Sequence, residues 1–518
     1  MAAPLYTTDS GRLWHAGQII IVTVGLPARG KTHISRSLER YLRWLGVKTG
    51  VFSLGDYRRK IIGGADKLPG DYFAIGAKRP ETQELRDRIK LGLEQQALDF
   101  FQKEGGQVVI YDANNGVRKT RYELWKRFNE AGIKVIFLES MCDRDEIVEA
   151  NIRSVKLSSP DYRGWNSDDA VRDYWSRIRD QERSYEPIVD PDAAWIKVIN
   201  VGERIVINRI EGYLQSRIIF FLMNIHNRPR TIYFARSGQS IIEHSYKADS
   251  DLCADGWDYA ERLKEAVLSR RRQVKEERTR RGEVAKDRPL TIWTSARRRA
   301  YHTAWPFVRL DYKVEEKPQM GEINPGVWDG LSSEEAKRLY PDEWERFLKD
   351  PYAHRAPRAE SYHDLSVRLE SVIFELERCQ DDLLIIGHAS VIRCLLAYLV
   401  GLPPNEVPSV EIARGDLVEV VPASYGVLSR AFHFWTGPGR SDGDTGKNLY
   451  ENVAEATQGK GVAVVSHIFP GGQRDLEVRA DDVAAEKAEE AEVMSRKERD
   501  GEVPNDLRQE ASSLEAED

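Results

Sequence analysis

Cysteine is scarce in this chain. Cys142, Cys253, Cys379 and Cys394 stand far apart, with no CxxC or Cys/His spacing among them. That argues against a disulfide framework or a zinc site and fits a reducing compartment. Long apolar runs are missing too. Ile19 to Leu26 is the only one near the start; it is too short to span a bilayer and carries no cleavage pattern, so neither a membrane nor a secretory signal is expected. A cytoplasmic location is the expectation. Charge of one sign is not in excess: 77 Lys and Arg against 83 Asp and Glu leave a formal charge of -6, which calls for no nucleic-acid partner. Aromatics vanish from about Gly471 onward. A segment so charged cannot bury enough apolar surface to fold alone, and a mostly disordered, partly helical tail is expected.

What is present is enough for two cores, the natural reading of 518 residues. Short apolar runs at Ile19–Val24, Val51–Ser53, Val108–Tyr111 and Val135–Leu138 read as strands, and Lys31–Trp44 has helical spacing. Strand, crossover helix and strand is the grammar of a parallel sheet covered on both faces. Asn227-Arg228-Pro229 ends an apolar stretch, Arg217–Ile225, and reads as a domain junction. The alternation then restarts, with strands at Thr231–Ala235, Leu290–Trp293 and Leu383–Ile386. Helices are expected at Tyr259–Leu268, Arg297–Arg309 and Val391–Leu399. The Arg/Glu-dense Ser269–Lys286 reads as a solvated helix or surface loop.

Gly25-Leu-Pro-Ala-Arg-Gly30-Lys31-Thr32 matches G-x-x-x-x-G-K-[ST]. Glycines let successive backbone N–H groups turn around phosphate oxygens, Lys31 would reach the β- and γ-phosphates, and the Thr32 hydroxyl would bind Mg²⁺. An apolar strand precedes the pattern and a helix follows it, whose N-terminal dipole favours an anion. A second strand delivers Asp112 to its tip. A lone Asp there is often a helix cap; beside a P-loop it could hold the metal or orient the attacking hydroxyl. Arg58, Arg59, Arg86, Lys156 and Arg177 are candidate anion ligands, since guanidinium forks grip phosphate oxygens in pairs. Taken singly, each arginine reads as a solvated charge. The residues alone therefore stop at a P-loop kinase whose acceptor is open, an anionic one being suited.

Four motifs go further. They are Gly25–Thr32 with Pro27-Ala28-Arg29 inside, Asp56-Tyr57-Arg58-Arg59, Tyr111-Asp112-Ala113-Asn114-Asn115, and Val155-Lys156-Leu157-Ser158-Ser159-Pro160-Asp161-Tyr162. With Gln215-Ser-Arg-Ile at the junction, they resemble the bifunctional 6-phosphofructo-2-kinase/fructose-2,6-bisphosphatase family, from about Gln18 to Leu402. The resemblance implies an α/β protein: a P-loop kinase domain with a parallel sheet, then a histidine-phosphatase-like (phosphoglycerate-mutase-like) α/β domain. The expected boundaries are 1–17 for an N-terminal extension, 18–226 for the kinase domain, 227–470 for the second domain and 471–518 for the tail. It also implies ATP and Mg²⁺ as cofactors and fructose 6-phosphate as acceptor, with a homodimer by family analogy alone. By motif, Gly25, Gly30, Lys31, Thr32, Asn151 and Val155 serve the nucleotide, and Thr32 and Asp112 the metal. Lys31, Asp112 and Lys156 serve the transfer, while Arg58, Arg59, Arg86, Asn114, Lys156 and Arg177 serve the sugar phosphate. Two positions depart from the family: Asn114 replaces the usual threonine, and Gln181 replaces a tyrosine four residues after Arg177.

The second domain lacks a histidine. Where the resemblance expects Arg-His-Gly at the first strand's end, the chain has Arg236-Ser237-Gly238. An imidazole is a nucleophile at neutral pH, whereas a hydroxyl needs a base to take its proton. Arg236, Arg299, Glu322, Glu360 and His388 match the rest of the pocket, but Glu243, Ser245 and Lys247 depart from it. The expectation is a 6-phosphofructo-2-kinase with a silent phosphatase-like domain. The alternatives are residual hydrolysis with Glu322 as acid, and a regulatory protein that binds without turnover.

Overall fold

A computed structural model of the chain describes residues 17–437, apart from 64–66, 74–77, 159–166, 227–229, 243–244, 281–286, 332, 411 and 424–425. Nearly all of the expected N-terminal extension, the junction residues Asn227-Arg228-Pro229, Glu243 and the charged tail lie outside the described residues.

The first half builds a six-stranded sheet. Its strands are β1 (Ile19–Val24), β2 (Thr49–Ser53), β3 (Val108–Asp112), β4 (Lys134–Met141), β5 (Trp195–Ile199) and β6 (Arg204–Asn208). The order is β2-β3-β1-β4-β5-β6, parallel up to the β5–β6 pair, which is antiparallel. β1 reads Ile-Ile-Ile-Val-Thr-Val and is buried at every position, the signature of a parallel strand covered on both faces. Helix α1 (Lys31–Trp44) leaves β1 through the glycine-rich loop, and α2 (Leu54–Ile62) follows β2 directly. The other helices of this half are α3 (Pro80–Gln102), α4 (Arg118–Glu130), α5 (Asp145–Ser158), α6 (Ser167–Glu182) and α7 (Tyr213–Leu222).

The second half repeats the layering with another connectivity. Its strands are β7 (Ile232–Arg236), β8 (Leu290–Thr294), β9 (Lys313–Glu316), β10 (Asp382–Gly387), β11 (Asp416–Ala423) and β12 (Gly426–His433). They run in the order β12-β11-β7-β10-β8-β9. The β7, β10, β8 and β9 strands are parallel, and a β11–β12 hairpin joins β7 antiparallel. Ser237 stands just past β7 and His388 just past β10, which are neighbours. In open α/β sheets, ligands bind at such carboxyl ends.

One residue differs from the expectation for its segment. The charge-rich run after Leu268 continues a single helix, α8 (Ala254–Arg280), but Arg270 within it is not solvated. It is buried, its guanidinium bonds both oxygens of Glu419 at 2.9 and 3.1 Å and lies over Phe432. A bidentate pair on a strand anchors what charge density alone marks as surface.

The two halves share one apolar core. Leu38 and Leu42 of α1 belong to the same buried cluster as Leu395 and Leu399 on helix α9 (Ala389–Val400). Polar groups cross the seam as well. Arg40 reaches Glu377 at 3.4 Å, Tyr398 of the same half as Glu377 donates its hydroxyl to that carboxylate at 2.6 Å, and Trp44 meets Tyr398 edge-on. The helix that starts at the P-loop therefore packs on the helix that starts at His388.

Candidate active site

The P-loop closes around its own glycines. Gly25 has φ +143°, and a Cβ there would lie 2.5 Å from the Ser140 carbonyl oxygen; Gly30 caps α1 in the left-handed region at φ +82°. Both positions suit only glycine. The loop is tied on three sides. The Gly25 amide donates to the Asn114 carbonyl at 2.9 Å, Asn151 donates to the Ala28 carbonyl at 2.9 Å, and Arg29 donates to the Cys142 carbonyl at 3.1 Å.

Lys31 is buried, and its ammonium donates to the Leu26 carbonyl at 2.6 Å. Burial lowers its pKa to about 8, with Asp112 opposing the shift and Arg29 adding to it. Thr32 donates to Asp112 at 2.9 Å. Burial pushes the Asp112 carboxyl above the usual range, against the Thr32 hydrogen bond and the Lys31 charge. A buried carboxylate beside a hydroxyl is a pair of hard oxygen donors of the type a divalent cation takes. Among the described residues no group of three or more His, Cys, Asp or Glu could hold a metal by itself, so a cation here takes its further oxygens from a ligand or water.

Beyond Asp112 the site widens into a cleft of about 980 Å³. Arg58, Arg59, Arg86, Arg177, Asn114, Asn151 and Gln181 line it together with the P-loop. The sequence-chosen acceptor ligands thus converge from α2, α3, α6 and the loop after β3. Arg58 is buried, not a solvated charge. Arg59 pairs with Asp56 at 2.5 Å, which holds it along α2. Lys156 and Val155 lie on α5, and their side chains fall outside the described residues.

Two residues that no motif marked organise these cations. Phe73 has the Arg177 guanidinium 4.2 Å and that of Arg58 5.3 Å from its ring centre. Tyr72 takes Arg86 over its ring at 5.7 Å and accepts from it through its carbonyl at 3.1 Å. Like charges repel in a cleft without an anion, and aromatic faces offset part of that repulsion. An aromatic doublet in a polar segment was the available signal.

The second-domain pocket is also assembled, with Ser237 at the end of its first strand. Ser237 is buried at the end of β7, its amide donating to Gly387 at 3.0 Å and its carbonyl accepting from Arg414 at 3.3 Å. His388, the imidazole at the neighbouring strand end, is 2.9 Å from the Ser295 hydroxyl and 3.3 Å from Arg299. Burial, then Arg299, Arg297, Arg236 and Arg368, hold its pKa well below the ordinary value, so it is neutral at physiological pH. Glu322 is 2.5 Å from Arg299. Glu360 pairs with Arg368 at 2.9 Å and accepts from the Asn324 amide at 2.9 Å. Its carboxylate therefore fastens the Glu322 loop.

Comparison with known proteins agrees with this layout. The family model described as 6-phosphofructo-2-kinase matches residues 6–229, and that of the histidine phosphatase superfamily (branch 1) matches residues 232–432. Human 6-phosphofructo-2-kinase/fructose-2,6-bisphosphatase 3 is 39% identical over 415 residues, covering 79% of this chain and 75% of its own. Saccharomyces cerevisiae fructose-2,6-bisphosphatase is 36% identical over 416 residues, covering 79% of this chain and 87% of its own. Among solved structures, a mycobacterial glucosyl-3-phosphoglycerate phosphatase aligns at TM-score 0.30 and 24% identity, over 37% of this chain and 89% of that one. No helix among the described residues is long and apolar enough to cross a membrane. The chain belongs to the 6-phosphofructo-2-kinase/fructose-2,6-bisphosphatase family.

Proposed function

We propose that this chain transfers the γ-phosphate of ATP to the 2-hydroxyl of fructose 6-phosphate, and that its second domain leaves the product, fructose 2,6-bisphosphate, intact. The observation that carries the first half is a single cleft that joins the P-loop and its Thr32–Asp112 pair to Arg58, Arg59, Arg86 and Arg177. The loop amides and Lys31 bind the donor phosphates. The arginines bind the acceptor's own phosphate and aim its hydroxyl. No carboxylate base is needed, because phosphoryl transfer is accelerated mainly by positioning and charge stabilisation. Thr32 and Asp112 would hold Mg²⁺, which supplies charge neutralisation at the transferring group.

The second half rests on Ser237. Acting as a nucleophile, its hydroxyl needs a base, and His388 is engaged with Ser295 and Arg299 instead. Arg236, Arg297, Arg299 and Arg414 keep the pocket cationic, which supports binding of a phosphate ester without turnover as a second reading. The domain boundaries stay those set out from the sequence, and a cytoplasmic location fits the wide spacing of the four cysteines along the chain. A homodimer fits the edge strand β6, where Val206 and Ile207 are exposed.

Purified protein with MgATP and fructose 6-phosphate is expected to form fructose 2,6-bisphosphate, and Lys31→Ala to lower the rate by about 10²–10³-fold. Tight ATP binding with no product over a wide range of sugar concentration would overturn the reading. With burial lowering the Lys31 pKa to about 8, ATP binding above that pH is expected to take up a proton. Calorimetry in buffers of different ionisation enthalpy reads that uptake.

A further inference from the structure

The two departures in the first half, Asn114 and Gln181, 67 residues apart in sequence, touch each other. The Asn114 side-chain amide donates to the Gln181 side-chain carbonyl at 2.7 Å. Both residues are half-buried and line the cleft. We propose that Asn114 and Gln181 act as one positioning unit, an amide clasp that fixes Arg177 over the acceptor pocket relative to the donor cradle. This rests on the kinase reading given above.

The argument follows the chain on each side of the bond. Asn114 sits in the loop after β3, and that loop is fastened to the P-loop strand. The Asn114 carbonyl accepts from the Gly25 amide at 2.9 Å, the Ala113 amide donates to the Thr23 hydroxyl at 3.0 Å, and Asn115 donates to the Thr23 carbonyl at 2.9 Å. Asn114 therefore moves with the first glycine of the phosphate loop. Gln181 lies four residues after Arg177 on α6, so the two side chains share one face of that helix. The Phe73 ring holds Arg177 from its own segment; the clasp supplies the tie to the donor side.

A tie between donor cradle and acceptor ligand matters because in-line transfer needs the γ-phosphate and the attacking 2-hydroxyl held in fixed register, and the acceptor's own phosphate is the handle that sets the hydroxyl. A change at either amide alone removes the same single bond. Changing both removes nothing further. That sets the pair apart from two independent sugar contacts, whose losses would multiply.

The test is a double-mutant cycle on the full chain with Asn114→Ala, Gln181→Ala and the double variant. For each, KM for fructose 6-phosphate, KM for ATP and kcat are measured, with melting temperature as a folding control. Each single variant is expected to lower kcat/KM for the sugar by about 3–10-fold, the value of one such hydrogen bond. KM for ATP is expected to stay within about twofold, and the double variant to match the worse single one. Multiplying losses would overturn the clasp and leave two separate contacts. Unchanged sugar kinetics in both single variants would overturn it as well. A wild-type chain that makes no fructose 2,6-bisphosphate would refute the kinase reading itself, and the clasp's role with it, an outcome visible before any variant is assayed.

Discussion

The two halves present the same architectural offer and use it differently. Each places a loop at the carboxyl end of a central parallel strand, β1 in one and β7 in the other, and each gathers arginines there. In the first half the decisive groups are backbone amides held by Gly25 and Gly30, with Thr32 and Asp112 in hydrogen-bond contact. In the second half the decisive group would be one nucleophilic side chain, and Ser237 stands in its place. A phosphate cradle made of backbone is spread over many residues. A covalent centre hangs on one atom, so a single substitution can silence it while Arg299, Glu322 and His388 remain in mutual contact.

The strongest way to break this comparison is to make the halves alike. Ser237→His is expected to raise phosphate release from fructose 2,6-bisphosphate by about 10²-fold or more over the wild type. Silence in that variant would show that one or more of the other departures, Glu243, Ser245 and Lys247, share in the loss.

A second prediction asks whether the halves are separable at all. Glu377 is buried between Arg40 of the first half and Arg230 and Tyr398 of the second, and the Arg40 and Arg230 charges hold its carboxyl below its ordinary pKa despite burial. Glu377→Ala removes the carboxylate beside the half-buried Arg40 and the buried Arg230, an expected loss of about 3–5 kcal/mol. Chemical denaturation measures it.

A third prediction uses pH. The His33 ring bonds the His226 carbonyl at 2.9 Å, and burial lowers the pKa of both His33 and His226 to about 4, with Arg40 and Arg230 contributing. Between pH 6.5 and 4 the unfolded chain binds more protons than the folded one, so stability falls as pH falls through that window. His33→Gln is expected to flatten the slope in urea melts run across it.

The smallest effect concerns the first site alone. Phe73→Leu removes the ring shared by Arg58 and Arg177, and KM for fructose 6-phosphate is expected to rise by about 3–5-fold with KM for ATP unchanged. Phe73→Trp is expected to restore most of it.

Much of this was legible in the sequence. The β1 and α1 boundaries follow from an unbroken apolar run and a glycine-rich motif. Buried parallel strands such as β8 and β10 announce themselves in the same way. Edge elements were not legible: β6 is mostly solvent-facing, and the β11–β12 hairpin lacks a strong turn signature. Arg270 read as a surface charge because its partner, Glu419, is far away in sequence, and nothing local marked Glu377 as the partner of Arg40. The Asn114–Gln181 bond was hidden for the same reason; each residue was visible only as an isolated departure. Motifs report what one segment does, whereas long-range polar pairs appear only when the fold brings segments together.

The most direct measurement follows fructose 2,6-bisphosphate after synthesis has been stopped. Wild-type protein is loaded with MgATP and fructose 6-phosphate, residual ATP is then removed enzymatically, and product and inorganic phosphate are followed for hours. A level that holds steady, with no phosphate released, is the expected result of an intact first site beside a silent second one. A steady decline matched by phosphate release would contradict the account, because Ser237 would then not have ended hydrolysis.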